Sequence, residues 1–376
     1  MLIRQVLWTD EDGWRDFGPD APERAADLVL YVAAPAHFRD PLRIDELKAR
    51  FPGAPVAGCS TGGEILGGEV YENSVAASAV WFDDGAAVIV SEPIDGADQS
   101  ETVGARAAKR LDPDGLKGVL VLSDGTRVNG TGLVRGLQGV LATTVPIAGG
   151  LAGDGTAFQS TFVDCNAGAP ASGRVALIGL YGPKIGVLTG SFGGWVPFGP
   201  ERRVTRAHDN VLEELDNEPA LDLYKRYLGE EAERLPASAL LFPLRLQTSD
   251  GHSITRTVLG VDEERKTMTF AGDIPKGAVV QLMRSTIERL IDGAEEAAMQ
   301  ITGINGPCLS VLVSCIGRHL VMGQHTVEEV KVVADHLGPD NRQIGFYSYG
   351  ELSPSGLQGR CELHNQTMTV VTVTER

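Results

Sequence analysis

Gly58-Cys59-Ser60-Thr61-Gly62-Gly63-Glu64-Ile65 has the form G-x4-G-E-I, and Gly345-Phe346-Tyr347-Ser348-Tyr349-Gly350-Glu351-Leu352 has the form G-x4-G-E-L. The likeness extends outward from both. An apolar run (Leu28 to Ala34), a helix-like stretch (Ile44 to Phe51) and a short strand (Pro55 to Gly58) precede the first copy. Leu309 to Ile316, Val327 to Leu337 and Gln343 to Phe346 precede the second in the same order. After each comes a β-rich run opened by an asparagine. Glu72-Asn73-Ser74 leads into Val75 to Phe82, and His364-Asn365-Gln366 leads into Thr367 to Val373. Such self-similarity predicts two related units, each offering one Gly-rich, Glu-bearing turn at a strand end. A third, degenerate copy lies midway: Gly118 to Leu122, Gly132 to Leu141, Val145 to Gly149, then Gly149-Gly150-Leu151-Ala152-Gly153-Asp154. Its acid is Asp.

The chain has 376 residues, more than one hydrophobic core usually organises, so two domains are expected. The polar stretch Asp216-Asn217-Glu218-Pro219 supplies the boundary, giving units 1–216 and 217–376, because Pro219 opens a helix and disfavours helical geometry before it. A hydrophobic content of 43% with mixed charge describes an ordinary globular chain. The formal charge of −17 argues against phosphate-backbone binding and against anionic membrane surfaces. No run approaches bilayer-spanning length, and the first ten residues lack a signal-peptide pattern. Cytoplasmic residence is the expectation. The five cysteines (Cys59, Cys165, Cys308, Cys315, Cys361) form no C-x-x-C pair, which suits reduced, buried thiols.

Several strand candidates are apolar throughout, as in strands covered on both faces: Leu28 to Ala33, Gly118 to Leu122, Arg174 to Tyr181, Lys184 to Thr189 and Leu309 to Ser314. Ala77 to Phe82 and Ala86 to Ser91, split by Asp83-Asp84-Gly85, predict a hairpin. Gln99 to Leu111, Pro219 to Leu228, Ser285 to Met299 and Val327 to Leu337 carry helical spacing. Strand–helix–strand units mixed with hairpins predict an α/β (mixed α+β) fold: two related domains with mixed and antiparallel sheets flanked by helices.

Glycine-rich turns expose backbone N–H groups and let a ligand approach the main chain. Gly58, Cys59, Ser60, Thr61 and Glu64 offer amides, hydroxyls and a carboxylate, a toolkit suited to a small zwitterion. Tyr347 and Tyr349 add aromatic walls around Glu351. The alternative is that the glycines make tight turns and each Glu caps neighbouring amides. Duplication of the acid favours the ligand. Gly130-Thr131-Gly132 with Gly136 follows a strand, but its spacing is not G-x-G-x-x-G, which argues against a dinucleotide site. Cys59 occupies a nucleophile-like position, with no local base; a buried thiol is the alternative. The seven histidines (His37, His208, His252, His319, His325, His336, His364) show no metal-ligand spacing. His364 stands in a polar cluster at a strand head and is a candidate haem or metal ligand, or else orders its turn.

Taken together, Gly58 to Ile65, Gly149 to Asp154, Phe270-Ala271-Gly272-Asp273-Ile274-Pro275, Ser314-Cys315-Ile316-Gly317-Arg318, Gly345 to Glu351 and Glu362 to Thr369 resemble the FIST proteins over nearly the whole chain. The resemblance implies an N-terminal and a C-terminal FIST domain and signalling without catalysis. It implies a small ligand, with amino acids proposed, and a separate partner such as a histidine kinase or cyclic-dinucleotide enzyme. The implied ligand-binding positions are those above together with Gly153, Asp154, His364 and Asn365. Some similar proteins sense nitric oxide as haemoproteins. No cofactor motif is present; haem on His364 and an iron–sulfur cluster on Cys308, Cys315 and Cys361 are the alternatives. An enzyme with Cys59 as nucleophile is the reading from a different class.

Overall fold

The apolar runs at 28–33, 118–122, 174–181 and 309–314 are buried because they sit between a shared centre and outer helices, whereas the run at 184–189, expected to be covered on both faces, lies at a sheet edge and is largely half-buried. The computed structural model of the chain describes residues 1–166, 168–247, 253–355 and 359–376. In the first unit, β1 (Leu2–Thr9) and β2 (Gly13–Phe17) precede β3 (Leu28–Ala33). Helices α1 (Pro35–Arg39) and α2 (Leu42–Arg50) then cross to β4 (Val56–Ser60), which lies parallel to β3. A short hairpin, β5 (Glu64–Leu66) and β6 (Glu69–Tyr71), leaves the unit. The chain returns as β7 (Val75–Trp81), antiparallel to both β3 and β1.

The second unit repeats the plan. It contains β8 (Ala86–Pro93), α3 (Ser100–Ala108), β9 (Leu116–Ser123), α4 (Gly130–Gln138) and β10 (Ile147–Leu151), with β9 and β10 parallel. After the two-residue β11 (Val163–Asp164), β12 (Arg174–Tyr181) runs antiparallel to β9 and β8. The third unit begins with β13 (Ile185–Phe192). It resumes after residue 284 with α6 (Ile287–Met299) and β14 (Cys308–Cys315), then α7 (Ile316–Met322), α8 (Thr326–Leu337) and β15 (Asn341–Ser348). A hairpin of β16 (Gly350–Pro354) and β17 (Cys361–His364) leaves it, and β18 (Met368–Glu375) returns between β14 and β13. The intervening residues 196–284 build a nine-stranded sheet with α5 (Ala220–Leu228). That insertion has its own core around Leu221, Tyr224 and Phe270. The boundary expected at residues 216 and 217 is a turn within this sheet, with φ of 50° and 66°.

The three units exchange their excursions in a ring. The β5–β6 hairpin of the first pairs with β15 of the third. The β16–β17 hairpin of the third pairs with β10 of the second. Strand β11 of the second pairs with β4 of the first. Each six-stranded sheet is thus completed by another unit. Alternation along the strands does the rest. Leu30 and Val32, Leu120 and Leu122, and Val311 and Val313 meet in one central core. Their neighbours Val29 and Tyr31, or Val119 and Val121, face outer helices instead. The midway copy is therefore a full third unit.

One expectation is corrected in detail. Ala77 to Phe82 and Ala86 to Ser91 are not a hairpin, because β7 already has β1 and β3 on its two edges. The Asp83-Asp84-Gly85 turn instead carries the chain to the next sheet, where β8 pairs with β12. The Met1 ammonium on Asp83 at 2.7 Å, and the Glu375 carboxylate accepting the Asp83 and Asp84 N–H groups, fix that passage. The glycines of Gly130-x-Gly132-x3-Gly136 answer to helix packing. A Cβ on Gly136 would lie 2.0 Å from the Glu101 carbonyl oxygen, and one on Gly104 would lie 2.6 Å from that of Leu133. Only glycine lets α3 and α4 approach so closely.

Gly136→Ala is expected to lower stability by roughly 1–3 kcal/mol, since the atom met is backbone and cannot swing away. Gly132→Ala, whose Cβ meets nothing nearer than 3.4 Å, should stay within about 1 kcal/mol of the parent. Urea unfolding of the two variants checks the contrast; equal losses would remove the packing explanation.

Candidate functional site

The two repeated glutamates play the same part in their own turns. Glu64 Oε2 accepts the backbone N–H of Ser74 at 3.0 Å and its hydroxyl at 2.8 Å. Glu351 Oε2 accepts the N–H of Thr367 at 3.1 Å and its hydroxyl at 2.9 Å, while Oε1 takes the Ser348 hydroxyl at 2.9 Å. Each donor pair is reached just after a left-handed residue, Asn73 (φ 54°) or Gln366 (φ 62°). Each acid therefore ties the outgoing hairpin to the returning strand. Both carboxyls are wholly buried, and burial pushes each up to about 8 despite these hydrogen bonds. Glu64 pairs into the third sheet and Glu351 into the second.

The middle acid sits one step earlier and does something else. Asp154 Oδ2 accepts the N–H groups of Gln159 (2.9 Å) and Ser160 (2.8 Å), and Oδ1 accepts the Tyr349 hydroxyl. Ser60 donates its hydroxyl to the Gly153 carbonyl at 2.8 Å, and the Thr61 hydroxyl accepts the Gly63 N–H. Tyr347 points away, its hydroxyl donating to Glu329 at 2.9 Å within a buried Arg318–Glu329 pair. Gly58 lies under the Tyr31 ring, where a Cβ would be 2.4 Å from it. Asn365 accepts the Thr257 N–H at 3.3 Å and donates to the His364 carbonyl. Ser60, Gly153, Asp154 and Tyr349 are thus brought together; Glu64, Glu351, Tyr347, His364 and Asn365 each serve separate local contacts.

Reactive and cofactor readings find little support in the geometry. Cys59 is fully buried in the central core, and burial, then nearby Glu64, pushes its thiol far up. His364 is buried with Nε2 at 3.1 Å from the Ser353 carbonyl oxygen, and desolvation holds its pKa down. That nitrogen is engaged within the sheet, which does not fit a haem ligand. Cys308 and Cys315 occupy opposite ends of the eight-residue β14, roughly 23 Å apart at strand spacing, so they do not fit one cluster. Among the described residues no three His, Cys, Asp or Glu side chains gather at metal-binding distance. His252 lies outside the described residues.

A cleft of about 480 Å³ opens where the second unit meets the insertion. Its floor is the Gly125–Gly130 segment leading into α4, where the Asn129 side chain caps the helix by accepting the Gly132 N–H. One wall is the Phe270–Asp273 strand end of the insertion. Asp273 Oδ1 accepts from Asn129 Nδ2 at 2.7 Å, and Oδ2 lies 3.3 Å from Arg135. Gly272 (φ 135°) must be glycine, since a Cβ would meet Leu363 at 2.8 Å and the Arg256 guanidinium at 3.0 Å. Buried Arg256 donates to the carbonyls of Asp273 and Leu363, and burial brings it down to about 10. The other wall is Tyr349 with Phe158 stacked on it at 4.4 Å. Phe158 has φ 51°, unusual for an aromatic residue, and the residue is 46% exposed.

Of the ligand-binding candidates read from sequence, only Tyr349 lines this cleft. Gly130, Gly132 and Asp273 were in view as motif residues without a site role. Phe158 carried no signal, because a left-handed aromatic has no local sequence signature. Among the described residues no helix is long and apolar enough to cross a membrane.

A pH profile tests the two clasps. A free Glu titrates near 4.3, while these titrate near 8 when folded, so between those values the folded state holds more protons. Their contribution is greatest below about 4.3 and declines as pH rises toward 8. Glu351→Gln, a permanently neutral near-isostere, should gain stability relative to the parent steadily from pH 5 to pH 8. A flat difference between the two urea-midpoint profiles would contradict the assignment.

The sequence matches the FIST N domain over residues 27–218 and the FIST C domain over residues 220–354. It is also similar to the uncharacterized protein MJ1623 of Methanocaldococcus jannaschii, 26% identical over 379 aligned positions covering 87% of this chain and 70% of that protein. With both domains matched in order along most of its length, the chain belongs to the FIST family, whose domains are generally sensory, signal-transduction domains.

Proposed function

We propose that this protein senses a small molecule, of amino-acid type or similar, in the cleft between the second unit and the insertion, and signals through a separate partner. The supporting observation is the composition of the cleft. Residues of the 125–135 and 270–273 segments converge on it with Leu151, Phe158, Tyr349 and Leu363, bringing amides, carboxylates and an aromatic wall. Binding sites commonly combine such a concave space with a few fixed polar groups. The two sides belong to different cores, so a ligand touching both favours one spacing of the insertion against the sheets. A partner of the histidine-kinase or cyclic-dinucleotide-enzyme type then reads that spacing. The reading places no catalytic step on Cys59, which lacks exposure.

The full-length protein should show a concentration-dependent rise in Tm with at least one compound in a panel of amino acids and related small molecules. Phe158→Ala should abolish the rise. Glu64→Gln and Glu351→Gln should retain it, because their carboxyls are engaged away from the cleft. A ligand response lost in the two Gln variants and kept in Phe158→Ala would move the site to the repeated turns.

A further inference from the structure

The charge and shape of the cleft narrow what it holds, given the reading that it is the ligand site. Four carboxylates border it, Asp98, Glu101, Asp209 and Asp273, against one cation, Arg135. Arg135 is divided between Glu101 and Asp273, 3.3 Å from each, so its charge is already met. Four negative charges less one positive leave three, on a chain whose formal charge is −17. Among the described residues Asp98 has no hydrogen-bonding or ionic partner. A space with this field repels anions and concentrates cations.

Its shape adds a second requirement. Phe158 stacks one face on Tyr349 with an interplanar angle of 13° and remains 46% exposed. Leu259, on the insertion side, is 48% exposed. Phe158 holds a left-handed backbone conformation, which aromatic residues rarely adopt, with its side chain open to the cleft. Among the described residues Tyr349 is the one aromatic ring stacked on Phe158, while a flat or cationic group placed on its other face is attracted by the π system.

We infer that the cleft takes a small organic cation, an ammonium or guanidinium on a flat or apolar body, with Phe158 against the body and the Asp98–Asp273 side facing the charge. Anionic ligands of the same size are excluded by the field rather than by shape.

Calorimetric titration of the full-length protein with three probes of one shape tests this: phenethylammonium, zwitterionic L-phenylalanine and anionic 3-phenylpropionate. Phenethylammonium is expected to bind most tightly and to weaken as salt rises. Phe158→Leu, which keeps bulk and loses the π face, should weaken it roughly 3- to 30-fold. Asp98→Asn should also weaken it without changing the Tm of the free protein. Equal or tighter binding of 3-phenylpropionate overturns the inference, as does amine binding indifferent to both substitutions. L-Phenylalanine binding that depends on Phe158, with the amine ignored, removes the cation and leaves the cleft as the ligand site. No heat from any probe, with the amino-acid panel also silent, removes both.

Discussion

Three backbone hydrogen bonds close on themselves at the centre of the molecule. Gly62 donates its N–H to the Tyr347 carbonyl (3.0 Å), Tyr349 donates to Leu151 (3.1 Å), and Gly153 donates to Ser60 (3.0 Å). Each unit gives one bond and receives one. The positions correspond: the donor stands two residues beyond the acceptor in every turn. This ring fixes why the turns are rich in glycine. Gly153 has the Tyr347 oxygen and the Gly62 nitrogen about 3 Å from where a Cβ would stand. Three chains meeting on one axis leave no room for side chains there. It also fixes the exchange of hairpins, because each chain emerges from its turn against a neighbour's open edge, and an edge left unpaired exposes backbone donors and acceptors.

The buried acids follow from the same constraint. Each outgoing hairpin leaves its sheet and must come back beside the first strand of its unit. Glu64 and Glu351 bridge that departure and return from inside, through Ser74 and Thr367. A neutral carboxyl can do this at modest cost, whereas an ionised one without a cation cannot. Glu329 shows the other solution: it pairs with the Arg318 guanidinium at 2.7 Å, and it takes the Tyr347 and Ser314 hydroxyls on its second oxygen. Both devices fasten elements that neighbouring cores would otherwise leave loose.

Much of this architecture is written in the sequence. The apolar runs at 28–33, 174–181 and 309–314 are strands because both of their faces are covered, and the G-x4-G-E phrase marks two of the three turns on the axis. The third turn was harder to see because Asp154 is displaced by one position and bonds forward to Gln159 and Ser160. The false hairpin at 77–91 has a different origin. Its turn residues are sound, but pairing is decided by which edges are open, and β7 has none. The cleft was least legible. Asn129, Asp273, Phe158 and Tyr349 are separated by many residues, and only the docking of the insertion assembles them.

Tyr349 joins the centre to the cleft. Its N–H is a bond of the ring, its aromatic face supports Phe158, and its hydroxyl meets Asp154 and the Gly155 carbonyl, where the Phe158 loop begins. The wall it forms is therefore pinned at three points to structure that all three sheets share. The opposite wall belongs to the insertion, whose core is separate and whose attachments here run through Arg256 to Leu363 and through Asp273 to Asn129 and Arg135. Those last contacts lie at the mouth of the cleft itself. A ligand that competes for Asp273 weakens a link between insertion and second unit while adding its own contacts across the gap. On the proposed reading the adjustment falls on the insertion, whose attachment here is by these few contacts, and its outer surface would carry the change to a partner.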